Sequence, residues 1–270
     1  MPYPLCKRIC LPLLIACWFA GTVPAQQDTL WNQTDGNGWK QGYWKKQYPD
    51  GQLMYRGFFS DNEPLGRMQR FYEDGKLKAD LLYTGDSGIA YARMYFRNGQ
   101  CSADGKYIGQ KRDSVWNYYS YYTGTLSLRE TYRMGQKEGA SIKYYPAGTK
   151  AEVLYWKEDR KHGTWEQFYE DSTLRLSAIY EMDRLHGDYR VYNPNRILVL
   201  EGSYVNGQME GDWKFYNDEG DFERTLSYRN GEILNEEEFL KWAEDFMENI
   251  DKNMGTIPEP DIENFFQKIP

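Results

Sequence analysis

Between residues 77 and 83 the chain alternates apolar and polar side chains: Leu77, Ala79, Leu81 and Tyr83, with Lys78 and Asp80 between them. The alternation returns at Leu174, Leu176, Ala178 and Tyr180, and again at Leu198, Leu200, Gly202 and Tyr204. A period of two sends one set of side chains to each face of a strand, so these runs predict strands with one buried face and one wet face. Each is preceded by a denser aromatic cluster, such as Trp165-Glu166-Gln167-Phe168-Tyr169. A turn separates the two: Pro49-Asp50-Gly51, Glu73-Asp74-Gly75, Arg97-Asn98-Gly99 or Asp218-Glu219-Gly220. Asp-Gly and Asn-Gly pairs suit tight turns because both residues tolerate positive φ. A second turn, clearest at Asn206-Gly207 and Asn230-Gly231 and similar at Met134-Gly135, joins each pair of strands to the next. The predicted unit is a β-hairpin.

The hairpins recur at a fixed spacing. Gly163, Gly187 and Gly211 are 24 residues apart, with Trp165, Tyr189 and Trp213 two positions later. Phe168, Tyr192 and Tyr216 follow each glycine by five positions, and Tyr180, Tyr204 and Tyr228 by seventeen. Walked back, the same position falls at Gly42, Gly66, Ala90, Ser114 and Gly139, with a step of 25 into Gly139. The extra residue lies in Tyr121-Tyr122-Thr123-Gly124. A constant short period with no long crossover predicts an elongated, all-β antiparallel array of about eight hairpins over residues 42–234. About sixteen strands would span roughly 75 Å before twist. The unit from Gly139 is the outlier, because Lys150 and Glu152 fall on the expected inner face, and distorted pairing is expected there. Trp165 and Phe168 are an odd number of positions apart, so rings are expected on both faces of the sheet.

The flanks differ. Residues 26–41 are polar and loop-like, with turn signals at Asp35-Gly36-Asn37-Gly38 and a glycosylation sequon at Asn32-Gln33-Thr34. In residues 235–270, Asn235 is the expected N-cap of a helix that opens with Glu236, Glu237 and Glu238. Phe239, Ala243, Phe246 and Ile250 fall on one stripe beside Leu240, Trp242 and Met247, as expected of a terminal helix capping the last hairpin. Gly255 and Pro258 lie beyond its end, and Ile262, Phe265 and Phe266 are expected to pack the tail back. Residues 1–25 read as a signal peptide: Lys7 and Arg8, an apolar run from Ile9 to Ala20, and Val23-Pro24-Ala25 at the cleavage position. Leu14-Ile15-Ala16-Cys17 also resembles a bacterial lipoprotein signal, which would place a lipid on Cys17 and tie the chain to a membrane. The expected location is outside the cytoplasm: periplasmic, extracellular or associated with an outer membrane.

Charge and chemistry narrow the function. The formal charge of −7 disfavours nucleic acid, whose phosphates call for a basic footprint. Three of the four cysteines lie in the leader, leaving Cys101 and no disulfide framework. The only histidines, His162 and His186, each precede a repeat glycine. They read as variants of a polar turn position held elsewhere by Gln41, Glu138 and Glu210, and two strand spacings keep them about 10 Å apart. Acidic pairs such as Glu158-Asp159 and Glu170-Asp171 fall at turns. No Cys/His metal spacing or phosphate-binding glycine loop appears, so the sequence assigns no catalytic, metal-binding or cofactor-binding residue and singles out no binding residue.

The unit G-x-W-x-x-[FY], with an aromatic near its end and an [ND]-G turn, resembles the MORN repeat over residues 38–234. Its 24-residue spacing and Tyr-x-Asn-Gly endings look most like the bacterial variant in YwqK-family proteins, antitoxin components of toxin–antitoxin modules. The resemblance implies an extended β-hairpin array that binds protein or, in some relatives, membrane lipid. The expectation is therefore a non-enzymatic, exported platform for a protein partner. The alternatives are a glycan or lipid binder using exposed rings, or an antitoxin-like component.

Overall fold

The computed structural model describes residues 30–85 and 88–253. The expected leader with Cys17, Gly255, Pro258 and the tail residues Ile262, Phe265 and Phe266 lie outside the described residues, as do the side chains of Phe246 and Ile250. The eight units are successive hairpins. They are β2 (Lys40–Gln47) with β3 (Leu53–Ser60), β4 (Glu63–Phe71) with β5 (Leu77–Tyr83), β6 (Ile89–Tyr95) with β7 (Cys101–Ile108), and β8 (Lys111–Tyr119) with β9 (Leu126–Arg133). Then come β10 (Gln136–Tyr144) with β11 (Lys150–Lys157), β12 (Arg160–Phe168) with β13 (Leu174–Glu181), β14 (Arg184–Tyr192) with β15 (Leu198–Val205), and β16 (Gln208–Tyr216) with β17 (Phe222–Arg229). Two-residue strands, β1 (Gln33–Thr34) and β18 (Glu232–Ile233), flank the array, and α1 (Glu236–Asn253) follows. Every strand pairs antiparallel with its neighbours in the chain, giving one open meander.

Two kinds of turn alternate. Within a unit, Tyr48 N–H donates to the Gln52 carbonyl and Gly51 N–H to the Tyr48 carbonyl, and the pattern recurs at 72–76, 96–100, 145–149, 169–173, 193–197 and 217–221. The residue at the Gly51 position has positive φ, and in two units it is not glycine: Ser172 (φ 70°) and Arg196 (φ 67°). Between units lie two-residue turns with both φ positive, at Asp61-Asn62, Met134-Gly135, Glu158-Asp159, Met182-Asp183, Asn206-Gly207 and Asn230-Gly231. That is the twist-matched hairpin turn.

The repeat glycine has a defined task. Leu154 pairs with Trp165 and Trp156 with Lys161, so β12 inserts two extra residues around Gly163, whose φ is 107°. The same insertion occurs at Gly66, Gly139, Gly187, Gly211 and Ser114, where serine takes φ 59°. Where alanine stands, at Ala90, β5 and β6 pair without a register shift. Directly across from the repeat position sits the ring seventeen or eighteen residues later: Tyr83 opposite Gly66, Tyr132 opposite Ser114, Trp156 opposite Gly139, Tyr180 opposite Gly163, Tyr204 opposite Gly187 and Tyr228 opposite Gly211. A Cβ on Gly66 would meet nothing within 4 Å, so glycine is favoured there for its positive φ of 68° rather than to make room for the ring.

Paired residues share a face, which defines a core face running the length of the sheet. Trp44, Met68, Ala92, Trp116, Ser141, Trp165, Tyr189 and Trp213 lie on it, paired with Gly57, Leu81, Gly105, Glu130, Leu154, Ala178, Gly202 and Leu226. Trp116 and Trp213 are completely buried. Each lies over a glycine of the preceding strand, and a Cβ on Gly105 or Gly202 would fall 2.3 or 2.2 Å from the ring. Bases two positions before the repeat position lie over aromatic rings of this face: Lys40 over Trp44 and Phe59, Arg112 over Trp116, Lys137 over Trp156 and Lys161 over Tyr180. Units are also stitched at the turn edge, where the Tyr48, Tyr72, Tyr145 and Tyr169 hydroxyls donate to the carbonyls of Phe71, Tyr95, Phe168 and Tyr192.

The Gly139 unit corrects one expectation. Glu152 does lie on the core face, but pairing there is regular and carries the same end-of-strand bulge as the other units. The polar residues are satisfied instead. Lys143 Nζ lies 2.9 Å from Glu152, and Trp165 Nε1 and Gln167 Nε2 donate to the same carboxylate. Lys150 is exposed.

The ends differ from expectation in detail. Gln33 and Thr34, in the segment expected to be loop, pair with β2, and the Asn32 side-chain oxygen accepts from Lys45 N–H. At the far end Asn235 holds the N-cap position as expected, its carbonyl accepting from Glu238 and Phe239 N–H and its amide donating to the Glu238 carboxylate, yet its side-chain oxygen turns to the sheet instead of the helix. Its oxygen accepts from Ser227 N–H and its amide donates to the Thr225 carbonyl. Both outer strands thus have open backbone groups satisfied by an asparagine side chain that imitates a further strand. The helix meets the sheet at Arg224, whose guanidinium is sandwiched 4.2 Å from Phe215 and 4.6 Å from Trp242.

Candidate binding surface

Opposite the core face is a second face with three rows. Nearest the within-unit turns, the Tyr119 hydroxyl donates to Asp104 and the Tyr216 hydroxyl to Glu201, while Arg56 stacks 5.7 Å from Phe71. These rings hold the position five after the repeat residue, so the two ring sets of each first strand do point to opposite faces. Burial, followed by the bond to Asp104, pushes the Tyr119 phenol up to about 12.

The middle row is a charge ladder: Lys45, Arg56, Gln69, Asp80, Arg93, Asp104, Asn117 and Arg129 stand side by side on successive strands. Most are engaged. Arg56 grips Gln69, Arg67 binds Asp80 with its closest contact at 2.6 Å, and Asn117 bridges Asp104 and Arg129. Arg93 is exposed, and no hydrogen bond or ion pair to its guanidinium is found among the described residues. Both flanking carboxylates are already occupied, Asp80 by Arg67 and Asp104 by Asn117 and Tyr119.

The third row is apolar and open. Leu82 pairs with Tyr91, and they are 53% and 54% exposed, with Val115 at 44% two strands beyond Tyr91. Together with Arg67, Arg93 and Lys106 they line an open groove of about 890 Å³ across β4 to β8. The groove straddles the unit whose repeat position is Ala90. Bases outnumber acids over this half of the face: Lys45, Arg56, Arg67, Arg93, Lys106 and Arg129 against Asp80, Asp104 and Asp113. In the later units the same rows carry Glu166, Asp188, Glu201 and Asp212 against Arg190 and Lys214. The face therefore runs from basic to acidic along a chain that is acidic as a whole.

The histidines belong to the between-unit turns. Gln41, Asp113, Glu138, His186 and Glu210 accept from the backbone N–H of Asp61, Met134, Glu158, Asn206 and Asn230, the first residue of the next such turn. His162 holds the equivalent position, where its Nδ1 is buried with no partner. Among the described residues no three of His, Cys, Asp and Glu are arranged to hold a metal ion, and no helix is long and apolar enough to cross a membrane. Half-buried Cys101 has its thiol pushed up, first by burial and then by Asp104. Sequence reasoning missed Arg93 and the charge gradient, because neither shows until the strand register is known.

A family model described as "MORN repeat variant" matches residues 40–61 and 64–84, the first two units. The later hairpins repeat the geometry of those two, except that the Ala90 unit lacks the bulge at the repeat position and Ala92 and Ser141 replace the core-face ring or methionine. No curated protein matches the chain. Among solved structures, the crystal structure of TcdB2-TccC3-TEV is similar over 70% of this chain and 12% of that one, at 14% identity and a TM-score of 0.22. The chain thus spans about an eighth of that protein's length. A protein of unknown function from Bacteroides fragilis NCTC 9343 is similar over 71% of this chain and 95% of that one, at 8% identity and a TM-score of 0.12. At such scores neither likeness bears on function.

Proposed function

We propose that this repeat protein is a non-catalytic, exported platform that binds another protein through the groove face of its sheet. One observation carries the reading: the sheet buries its apolar stripe on the core face, yet keeps Leu82, Tyr91 and Val115 open beside an unpaired Arg93 on the other. Clustered apolar side chains rimmed by charge are what a protein interface requires. Export is supported by Lys7, Arg8, the apolar run and Val23-Pro24-Ala25. It makes the cell envelope the place to look for the partner.

The test is affinity capture from an envelope fraction with the wild-type chain and a Leu82→Ser/Tyr91→Ser variant. A protein retained by the first and lost by the second, with a Tyr122→Ser control unaffected, supports the reading. Binding to glycan arrays or to phospholipid vesicles that depends on Tyr91, with no protein retained, would replace it by the glycan or lipid alternative. The antitoxin-like alternative predicts instead that the captured protein is a toxin whose activity the chain suppresses.

A further inference from the structure

The helix α1 has two sides. Phe239, Trp242 and Ala243 are half-buried, and Trp242 leans on Arg224 of the core face. On the other side Leu240 is 52% and Met247 58% exposed, and Glu244 and Glu248 are exposed with them. These four stand at i, i+4, i+7 and i+8, one continuous stripe of an α-helix. The helix is strongly acidic, with Glu236, Glu237, Glu238, Glu244, Asp245 and Glu248 against Lys241 and Lys252. It therefore offers an apolar ridge flanked by carboxylates that its own sheet leaves uncovered.

The groove across β4 to β8 is the complement: Leu82, Tyr91 and Val115 form its apolar floor, with Arg67, Arg93 and Lys106 beside them. From Leu240 to Met247 the ridge runs about 10 Å at helical rise. The floor from Leu82 on β5 to Val115 on β8 crosses three strand spacings, about 14 Å. Glu244, with Glu248 exchanging its exposed Lys252 partner at 3.2 Å, would then meet Arg93, the one base of the floor without a protein partner. Within one molecule this contact is out of reach, because at least nine strand spacings, about 43 Å, separate β17 from β8 at the near edge of the groove. Only Leu234 and Asn235 link β18 to α1.

We propose that α1 of one copy docks its Leu240–Glu244–Met247–Glu248 stripe into the β4–β8 groove of a second copy. This deepens the platform reading and rests on it, since the same groove is used. The contact is head-to-tail, so it propagates unless the rotation closes a ring. The basic-to-acidic gradient of the face favours the same polarity of assembly.

Sedimentation velocity of the mature chain over rising concentration tests it. The expected result is a sedimentation coefficient that climbs with concentration and falls back as salt is raised. Arg93→Glu alone, and Glu244→Lys with Glu248→Lys alone, should each hold the chain at the monomer value while far-UV circular dichroism stays unchanged. Mixing the two variants should restore association, because the reversed charges again face each other. A chain that is monomeric at every concentration overturns the proposal. So does association indifferent to both variants, or a mixture that stays monomeric. A monomeric chain that still captures an envelope protein through Leu82 and Tyr91 overturns this inference alone and leaves the platform reading standing.

Discussion

At the scale of single residues, the ring–glycine fit decides most of the packing. Gly202 meets the fully buried Trp213 ring at a distance no Cβ can share, with that ring also held 5.0 Å from Tyr204 and 5.6 Å from Tyr189. Gly202→Ala is expected to cost about 3 kcal/mol, the upper range for overpacking a core, read as a drop in the denaturant midpoint. Gly57→Ala should cost less, because its nearest neighbours are Met68 Cγ, Cβ and Cα at 3.1, 3.2 and 3.4 Å, an overlap relieved by a shift of a few tenths of an ångström. Positive φ at Ser172 and Arg196 works the other way. Glycine there removes left-handed strain of about 1 kcal/mol, partly offset by the entropy of a freer unfolded chain. Ser172→Gly and Arg196→Gly should therefore leave the thermal midpoint unchanged or raise it, whereas Gly148→Ala at the equivalent turn (φ 92°) should lower it. The sequence announced Asn206-Gly207 and Asn230-Gly231 as turns through their composition. It could not announce Met182-Asp183 as the same turn, because there neighbouring strands impose the conformation against local preference.

At the scale of strands and helix, polar atoms decide where elements begin, end and resist acid. Asn235 was legible as a helix-start residue, but its side chain satisfies β17, a choice that depends on an unpaired edge standing beside it. Asn235→Ala frees the Ser227 N–H and the Thr225 carbonyl together. Hydrogen exchange at Ser227 is expected to quicken by an order of magnitude or more, for about 1–2 kcal/mol of lost local protection, with central strands unaffected. Glu152 makes the acid prediction. Burial alone would raise its carboxyl, but hydrogen bonds from Lys143, Trp165 and Gln167 outweigh it and hold it below the usual carboxylate range. A carboxyl depressed in the folded state stabilises fully above its unfolded pKa, and that stability is lost as pH falls through the folded value. Glu152→Gln should therefore flatten the acid side of the stability–pH curve below the ordinary glutamate pKa and leave its shape at neutral pH unchanged. Period-two alternation had marked Glu152 as a fault in the strand. It is instead a polar substitute for core, visible only when Lys143 and Gln167 are seen on the same face.

At the scale of the whole molecule, the core face is not one continuous hydrophobic stripe. Phe59, Met68, Leu81, Trp116 and Tyr132 form one cluster over the first four units, and Leu154, Leu176, Ala178, Trp213 and Leu226 are buried in the later ones. Between them the row passes through Glu130 and Ser141, both buried, with Ser141 standing where six of the other units have a ring or methionine. Glu130 is held there by Lys137 and the Tyr132 hydroxyl, each 2.5 Å away, and Arg112 reaches the same hydroxyl. In an array each unit leans mainly on its neighbours, so stability is carried by successive interfaces and fails first where one is weak. Charged hydrogen bonds fix the geometry of this junction but replace apolar burial, and a buried ion pair contributes less net stability than the hydrophobic contact it displaces. The repeat period was legible because glycines and rings recur in phase. This seam was not, because a single serine at a ring position gains meaning only from Glu130 on the strand beside it. The array is expected to unfold as two blocks that part near β9 and β10. Trp213→Ala, which removes a fully buried ring, should cost about 3–5 kcal/mol in the second block and leave hydrogen-exchange protection of β4 to β7 at its wild-type level. Trp116→Ala should do the reverse, whereas a fully cooperative sheet would lose protection everywhere in both variants, and the junction would then couple the halves as tightly as any other interface.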